Sequence, residues 1–359
     1  MILTYLAGIV ALFFAMNIGA SGAAASISVA YGSGAIKSRK NALFICGIAI
    51  FLGAVIGGSE VAKTIGSGII PQNLLTAQVV LIILSSAALS LFIANLLGIP
   101  LSTSEITVGS IVGVGIAQQA LYINNILVIA AFWVIVPVVA FTIAFILGKV
   151  ITKVENKYPQ LQQKKAQKVL TVFVIIVGFL EAFSAGMNNV ANAIGPLVGA
   201  NLVPMSTGIL LGGICIALGA MFLGGNVLQT NAKKITKFSL LEGGTISGTG
   251  SLLVITASIF GLPVPLTQVT STAIMGIGLA KKGKNTVNKR VISKIVKVWL
   301  VSPVFSLVIS YGLMKLFVDN DLYTVIVLLS VSVATFGILS LIKTINQEKR
   351  SFYENGEGI

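Results

Sequence analysis

Long apolar runs dominate the chain, and short polar segments separate them. Several of the runs, such as residues 74–97 and 126–147, match the roughly 20 residues that a helix needs to cross the hydrocarbon core of a bilayer. They lack the alternation of a β-barrel strand, and only a helix or a closed barrel satisfies its backbone groups within lipid. The pattern therefore predicts an all-α polytopic membrane protein with about eleven or twelve transmembrane helices. The predicted spans are residues 2–16, 41–58, 74–97, 106–117, 126–147, 169–184, 205–224, 240–261, 266–280, 292–317 and 322–342.

Composition supports this class. The 359 residues are 56% hydrophobic and 9% charged, with a mean hydropathy of +1.00, which excludes an ordinary soluble protein. The net charge of +14 is concentrated in a few connecting segments, so it reports topology and not nucleic-acid binding. The basic segments are residues 37–40, 149–168, 233–237, 281–297 and the C-terminal tail from 343. Under the positive-inside rule these segments are cytoplasmic, in a multi-pass protein of the plasma membrane.

The reactive residues argue against an enzyme. The chain has no histidine, which removes the commonest transition-metal ligand and the usual neutral-pH acid or base. Cys46 and Cys215 both lie in apolar runs and are expected to be small core residues, not a disulfide. The sequence has no metal triad, nucleophile–base pair or cofactor motif, so no metal or cofactor is expected.

The two halves of the chain are copies of one another. Moving the first half by 167 residues places Gly19 on Gly186, Gly32 on Gly199 and Gly57-Gly58 on Gly224-Gly225. After a slip of four residues, Gly98-Ile99-Pro100 falls on Gly261-Leu262-Pro263 and Glu105 on Gln268. Basic loops of one half match uncharged loops of the other, so the halves are predicted to have opposite orientations, as in many secondary transporters. The predicted organisation is a first repeat at 1–148, a cytoplasmic connection at 149–168, an inverted second repeat with a final helix at 169–342, and a tail at 343–359.

Two polar stretches occupy corresponding positions in the repeats, at residues 19–26 and 186–193. The second contains Asn188, Asn189 and Asn192 within an apolar segment. Burying an amide without a partner costs about 2 to 7 kcal/mol, so these side chains are expected to line a polar cavity. The helix is predicted to break on either side of them, at Gly186, Gly195-Pro196 and Gly199.

Two further stretches, residues 98–105 and 261–272, break at Gly-x-Pro and resume with hydroxyl residues. A helix that begins there directs free N–H groups and the positive end of its dipole at an anion. The predicted anion ligands are Ser21, Ser102, Thr103, Ser104, Asn188, Asn192 and Thr267. The alternative is that such small and hydroxyl residues serve only helix packing, which is most plausible for Ser21.

Four carboxyl groups lie within or next to apolar segments: Glu60, Glu105, Glu181 and Glu242. A carboxyl group inside a membrane is a functional residue by default. Glu105 lies beside the predicted anion site and could carry a coupling proton, or it could only pair with Gln268. Glu60 could form a surface pair with Lys63, and Glu181 could orient Asn189 or face water.

These motifs resemble those of the inorganic phosphate transporter family, whose signature is Gly-Ala-Asn-Asp-Val-Ala-Asn-Ala with a later Pro-Val-Ser-Thr-Thr-His. Residues 186–193 match it except that Met187 replaces alanine and Asn189 replaces aspartate. The first copy departs further, with Gly22 in place of the other aspartate, and Glu105 and Gln268 occupy the histidine positions. In the family the aspartates are understood to help hold sodium beside phosphate, so the resemblance puts Asn189 at a coupling position and weakens the case for sodium.

Sulfate only accepts hydrogen bonds, whereas phosphate near neutral pH also donates one, so a site with fewer carboxylates favours sulfate. The first copy also resembles the sulfate permease branch of the family. The expected function is therefore sulfate import by proton symport and alternating access, with the bilayer as its setting and a homodimer as one possibility. The alternatives are a phosphate symporter coupled to protons or sodium and, less favoured, an anion channel.

Overall fold

The computed structural model describes residues 1–96, 101–235, 238–282, 289–332 and 334–335, and this part of the chain contains helices and no strands. The helices are α1 (Ile2–Ile18), α2 (Ser28–Gly32), α3 (Arg39–Gly57), α4 (Ser59–Ser67), α5 (Ala77–Leu96), α6 (Thr103–Ala117), α7 (Ile123–Lys157), α8 (Lys164–Gly199), α9 (Met205–Leu218), α10 (Gly225–Ile235), α11 (Leu240–Ile259), α12 (Leu266–Lys282), α13 (Lys289–Phe317) and α14 (Leu322–Ser332). Short 3₁₀ turns lie at Gln72–Leu74 and Pro159–Gln162.

Seven helices of the described chain are long and apolar enough to cross a membrane, which confirms the predicted polytopic all-α class. The number is below the predicted eleven or twelve for two reasons. Some predicted spans form helices that are short, such as α6 and α12, or rich in glycine and hydroxyl residues, such as α11. The last predicted span, 322–342, lies partly outside the described residues.

Helix α8 is the element against which α3, α4, α9 and α11 pack. Its second half, from Glu181 onward, is almost wholly buried, although it contains the three asparagines. The prediction that this helix breaks at Gly186 and at Gly195-Pro196 is wrong: α8 runs without interruption to Gly199. Gly186 has a different role, because a Cβ atom there would collide with the backbone carbonyl of Ile50 on α3. The glycine therefore permits a close helix crossing instead of a break.

Three close contacts between helices occur twice, and each of them joins a residue of the first half of the chain to a residue of the second half. The contact of Gly19 with Ile216 corresponds to that of Gly186 with Ile50, the contact of Met16 with Gly219 to that of Phe183 with Gly53, and the contact of Gly32 with Ala232 to that of Gly199 with Gly66. Each contact maps onto its counterpart when its first-half residue is moved forward by 167 residues and its second-half residue is moved back by 166. The crossings therefore follow the repeat that the sequence predicts.

The first polar stretch differs from the second in backbone conformation. Helix α1 continues into a π-helical segment, Gly19–Ala23, and a turn then leads to the short helix α2. A second π-helical segment, Gly219–Leu223, follows α9 and packs against the first. π-Helical turns are rare and are frequent at functional sites. The two copies of the polar stretch therefore share a sequence pattern without sharing a backbone.

The hydroxyl-bearing stretches begin helices, as predicted. Ser102 caps α6, and its hydroxyl accepts a hydrogen bond from the backbone N–H of Glu105 at 3.5 Å. The break in the second half lies between α11 and α12, where Gly261 adopts a positive φ of 71°. The corresponding Gly98-Ile99-Pro100 lies outside the described residues.

The chain divides into two compact units, Met1–Ser310 and Tyr311–Ile359, with the boundary inside α13. The described part of the second unit consists of the end of α13, a short connection and α14. In the connection, Asp319 forms an ion pair with Lys315 at 2.8 Å. The predicted tail at 343–359 lies outside the described residues, and the predicted repeat boundaries stay a prediction.

Candidate functional site

The N-terminus of α6 meets the buried half of α8, and hydroxyl groups there face amide groups. The Thr103 hydroxyl donates a hydrogen bond to Oδ1 of Asn189 at 2.6 Å, and the Ser104 hydroxyl donates to Oδ1 of Asn188 at 3.1 Å. Nδ2 of Asn192 lies 3.4 Å from the Thr103 hydroxyl and 3.3 Å from the Ser104 hydroxyl. We name these five residues the asparagine–hydroxyl cluster.

The segment between α11 and α12 closes the cluster from a third direction. Nδ2 of Asn188 donates to the Ser258 hydroxyl and to the Leu262 carbonyl, both at 3.2 Å. The Ser104 hydroxyl lies 3.3 Å from the carbonyl oxygen of Val264. Helix starts and breaks from both halves of the chain therefore meet at one place, which is the arrangement expected for the midplane site of an inverted-repeat transporter.

The cluster is buried and contains no charged side chain. Asn188 and Asn192 have no exposed surface, and Thr103, the most exposed member, is 7% exposed. Oδ1 of Asn192 has no hydrogen-bond partner, which is costly for a buried polar atom. The first turn of α6 adds backbone N–H groups and the positive end of a helix dipole. Chemically, the site is a set of neutral donors suited to an oxyanion.

The two hydroxyl groups of the cluster donate to its own amide oxygens. Oδ1 of Asn189, for example, accepts from Thr103 and also lies 3.3 Å from Nδ2 of Asn192. Rotation of the two hydroxyl groups could redirect these donors without moving the backbone.

Glu105 lies on another side of α6 and faces α12. Its Oε1 accepts a hydrogen bond from Nε2 of Gln268, the residue that the repeat assigns as its counterpart. Glu105 is 1% exposed and Gln268 is 2% exposed. The two positions that the predicted repeat equates therefore touch directly.

Three other predicted ligands lie apart from the hydrogen bonds of the cluster. The Ser21 hydroxyl donates to the Asn17 carbonyl of its own helix at 2.9 Å, the packing role that was the alternative for it. Ser102 uses its hydroxyl to cap α6. Thr267 is half-buried in the first turn of α12 and makes no hydrogen bond to the cluster in the described part of the chain.

The structure also settles the surroundings of the remaining carboxyl groups. Glu181 is fully buried and accepts hydrogen bonds from Ser247 at 2.5 Å and Thr270 at 2.8 Å, so it neither orients Asn189 nor faces water. Glu60 pairs with Lys63 at 2.7 Å on the surface, as predicted. Glu242 forms an ion pair with Lys281 at 2.9 Å.

Sequence reasoning missed two groups of functional interest. Ser258, which supports Asn188, is a single hydroxyl residue three positions before Gly261, and only its nearness to the helix break distinguishes it. The hydroxyl partners of Glu181 come from α11 and α12. Thr270 belongs to the hydroxyl-rich stretch at residues 261–272. Its hydrogen bond to Glu181 depends on tertiary packing, which the sequence pattern does not show.

Comparison with known proteins places the fold and the chain in one family. The model of the phosphate transporter family matches residues 18–310. "Sulfate permease CysP" of Bacillus subtilis is 56% identical over 350 residues, covering 97% of this chain and 98% of that protein. The solved structure entitled "The sodium-dependent phosphate transporter" has a TM-score of 0.77 at 28% identity, covering 89% of this chain and 100% of that one. With the helical architecture and the paired polar stretches described above, these matches show that the chain belongs to the phosphate transporter family.

Proposed function

We propose that this protein is a secondary active transporter that imports sulfate across the plasma membrane by proton symport. The asparagine–hydroxyl cluster is its anion site. The observation that carries the proposal is the meeting of the α6 N-terminus with the asparagines of α8, at a buried site of neutral donors. The 56% identity to a protein named as a sulfate permease supports the same substrate.

The donor set of the cluster favours sulfate over phosphate. Sulfate carries no proton near neutral pH and only accepts hydrogen bonds, whereas phosphate also donates one. Each cluster side chain offers an N–H or O–H group, and Glu105 turns its carboxyl group toward Gln268, away from the cluster. Gly22 and Asn189 stand where the family signature has aspartates, so the site repels a dianion less. A carboxylate within the cluster would favour phosphate.

Binding proceeds by exchange of acceptors. The anion displaces Oδ1 of Asn188 and Asn189 from the hydroxyls of Ser104 and Thr103, and Nδ2 of Asn192 turns from the hydroxyl oxygens toward the anion. Hydrogen bonds to a charged group are roughly twice as strong as those between neutral groups, which drives the exchange.

Alternating access follows from the inverted repeat. The reciprocal glycine crossings support the duplication, and the Glu105–Gln268 contact supports a twofold relation between its halves. In such transporters one repeat rocks against the other around a site near the midplane. The basic segments face the cytoplasm in this proposal. The expected homodimer stays a prediction that the mass of the protein in detergent tests.

Uptake of labelled sulfate into a strain that lacks sulfate transport tests the function. We expect accumulation of sulfate that excess phosphate inhibits weakly. Strong competition and uptake of labelled phosphate would favour the phosphate symporter instead. In proteoliposomes, collapse of the proton gradient should abolish accumulation, whereas an anion channel would keep the same flux. A requirement for a sodium gradient would contradict proton coupling.

A further inference from the structure

Glu105 and Gln268 each contain a buried oxygen atom without a hydrogen-bond partner. These atoms are Oε2 of Glu105 and Oε1 of Gln268, while the other ends of the two groups are joined by the Gln268 Nε2 to Glu105 Oε1 hydrogen bond. The hydroxyl of Ser302 on α13 lies close enough to Glu105 to interact with its carboxyl group, but it makes no hydrogen bond of normal geometry. Buried polar atoms are nearly always paired, so this group of unpaired atoms requires an explanation.

An ionised carboxylate cannot pair with the unpartnered amide oxygen, because both atoms are only acceptors. A protonated Glu105 can, since its O–H group then donates to Oε1 of Gln268 while Nε2 of Gln268 donates to the carbonyl oxygen of the acid. The terminal torsions of Glu and Gln are broad, so a small rotation of each planar group completes the second hydrogen bond. One added proton therefore satisfies both orphaned oxygens.

We infer that Glu105 and Gln268 form a carboxylic acid–carboxamide pair that binds one proton in this conformation and is the coupling-ion site of the transporter. The inference rests on the proposed function, which it deepens by naming Gln268 as the partner that holds the acid form. When the proton leaves, the Ser302 hydroxyl is the available donor for the carboxylate. No covalent bond is made or broken except the O–H bond of Glu105.

The elements packed around Glu105 present no opposing charge in the described part of the chain. Helix α12 contributes Gln268, α13 contributes Ser302, and the charged Lys297 is exposed on an earlier turn of α13. Glu181, a buried carboxyl group on α8, uses its two oxygens to accept hydrogen bonds from the hydroxyls of Ser247 and Thr270. Binding of a proton to Glu105 is therefore what makes this site neutral.

The position of the pair explains how it senses the anion. Ser104 and Glu105 are consecutive residues in the first turn of α6; one donates to Asn188 in the cluster and the other faces Gln268. A shift of this turn on anion binding changes the geometry of the acid–amide pair. Since Gln268 belongs to the other repeat, movement of one repeat against the other also separates its two members.

Infrared spectroscopy of the full-length protein in lipid membranes tests the pair directly. We expect a carboxylic-acid C=O band that decreases as the solution is made alkaline and that is absent from Glu105→Gln. The exchanged variant Glu105→Gln/Gln268→Glu should restore the band, because it keeps one acid and one amide at the contact. Glu60→Gln, which removes a surface carboxyl group paired with Lys63, is the control and should leave the band unchanged.

Sulfate flux in proteoliposomes, measured on the same variants, separates this inference from the proposed function. Glu105→Gln should equilibrate sulfate without concentrating it, and the exchanged variant should recover accumulation. An unchanged band in Glu105→Gln, or a band that responds to sodium ions but not to pH, would overturn the pair. A band that behaves as expected in a protein without sulfate flux would support the pair and refute the substrate.

Discussion

Replacement of Thr103 by valine removes one hydroxyl group from the asparagine–hydroxyl cluster and leaves the shape of the side chain almost unchanged. In the empty site the variant loses the 2.6 Å hydrogen bond to Asn189 and the weaker 3.4 Å contact with Asn192. Asn189 keeps Nδ2 of Asn192 as a hydrogen-bond partner at 3.3 Å, so the anion-free site loses only part of its hydrogen bonding. The main loss therefore falls on the anion-bound state.

The size of that loss follows from the charge of the ligand. A hydrogen bond to a charged group contributes about 1.5 to 3 kcal/mol. With roughly 1.4 kcal/mol for each factor of ten, the apparent affinity for sulfate should fall by about 10- to 100-fold. The empty site already loses part of a neutral hydrogen bond, which brings the expected effect toward the lower end of this range. The maximal rate should change less than the affinity.

Concentration-dependent uptake of labelled sulfate measures the effect. Thr142→Val is the matched control, because Thr142 is exposed on α7 and its hydroxyl only bonds the Val138 carbonyl of its own helix. The control should transport sulfate with the affinity of the unaltered protein. If Thr103→Val matches the control in affinity, in a protein folded to the same extent, Thr103 does not contact the anion and the cluster is structural.

Two further predictions concern packing and buried charge, and thermal unfolding in detergent measures both. Gly186→Ala places a methyl group against the Ile50 carbonyl and should cost about 1 to 3 kcal/mol of stability, whereas Gly8→Ala on α1, where nothing lies within 4 Å, should be neutral or slightly stabilising. A tolerated Gly186→Ala would show that the crossing can separate. Thr270→Val removes one of the two donors to the fully buried Glu181 and should cost at least about 1 kcal/mol. An unchanged unfolding temperature would mean that Glu181 has another partner.

The sequence predicts the parts of the site that depend on local chemistry. The cost of burying Asn188, Asn189 and Asn192 implies a common polar environment, and the hydroxyl residues at a helix start identify their partners. Both expectations need only the character of the residues and their spacing. The meeting of these stretches in the structure follows because a membrane interior offers few other partners for them.

The continuous course of α8 could not be predicted in the same way. Glycine is required both where a helix breaks and where two helices cross closely, and the sequence around Gly186 is compatible with either. The close crossing depends on the carbonyl of Ile50, which is far from Gly186 in the chain. Pro196 lies near the end of the helix, where a lost backbone hydrogen bond affects only the last turns. Such outcomes depend on tertiary contacts and not on local pattern.

Because the cluster is neutral, it does not offset the charge of sulfate, and this favours the proposed symport over a channel. Each elementary charge that crosses a membrane potential of 100 mV changes the free energy by about 2.3 kcal/mol, so a dianion entering a negative interior is opposed by about 4.6 kcal/mol. The cluster contains no cationic side chain that could travel with the anion or offset this cost. A channel of such neutral donors would release sulfate from the cell. Inward accumulation requires a positive partner, and in the proposed acid–amide pair Glu105 binds a proton while its O–H group donates to the Gln268 amide oxygen.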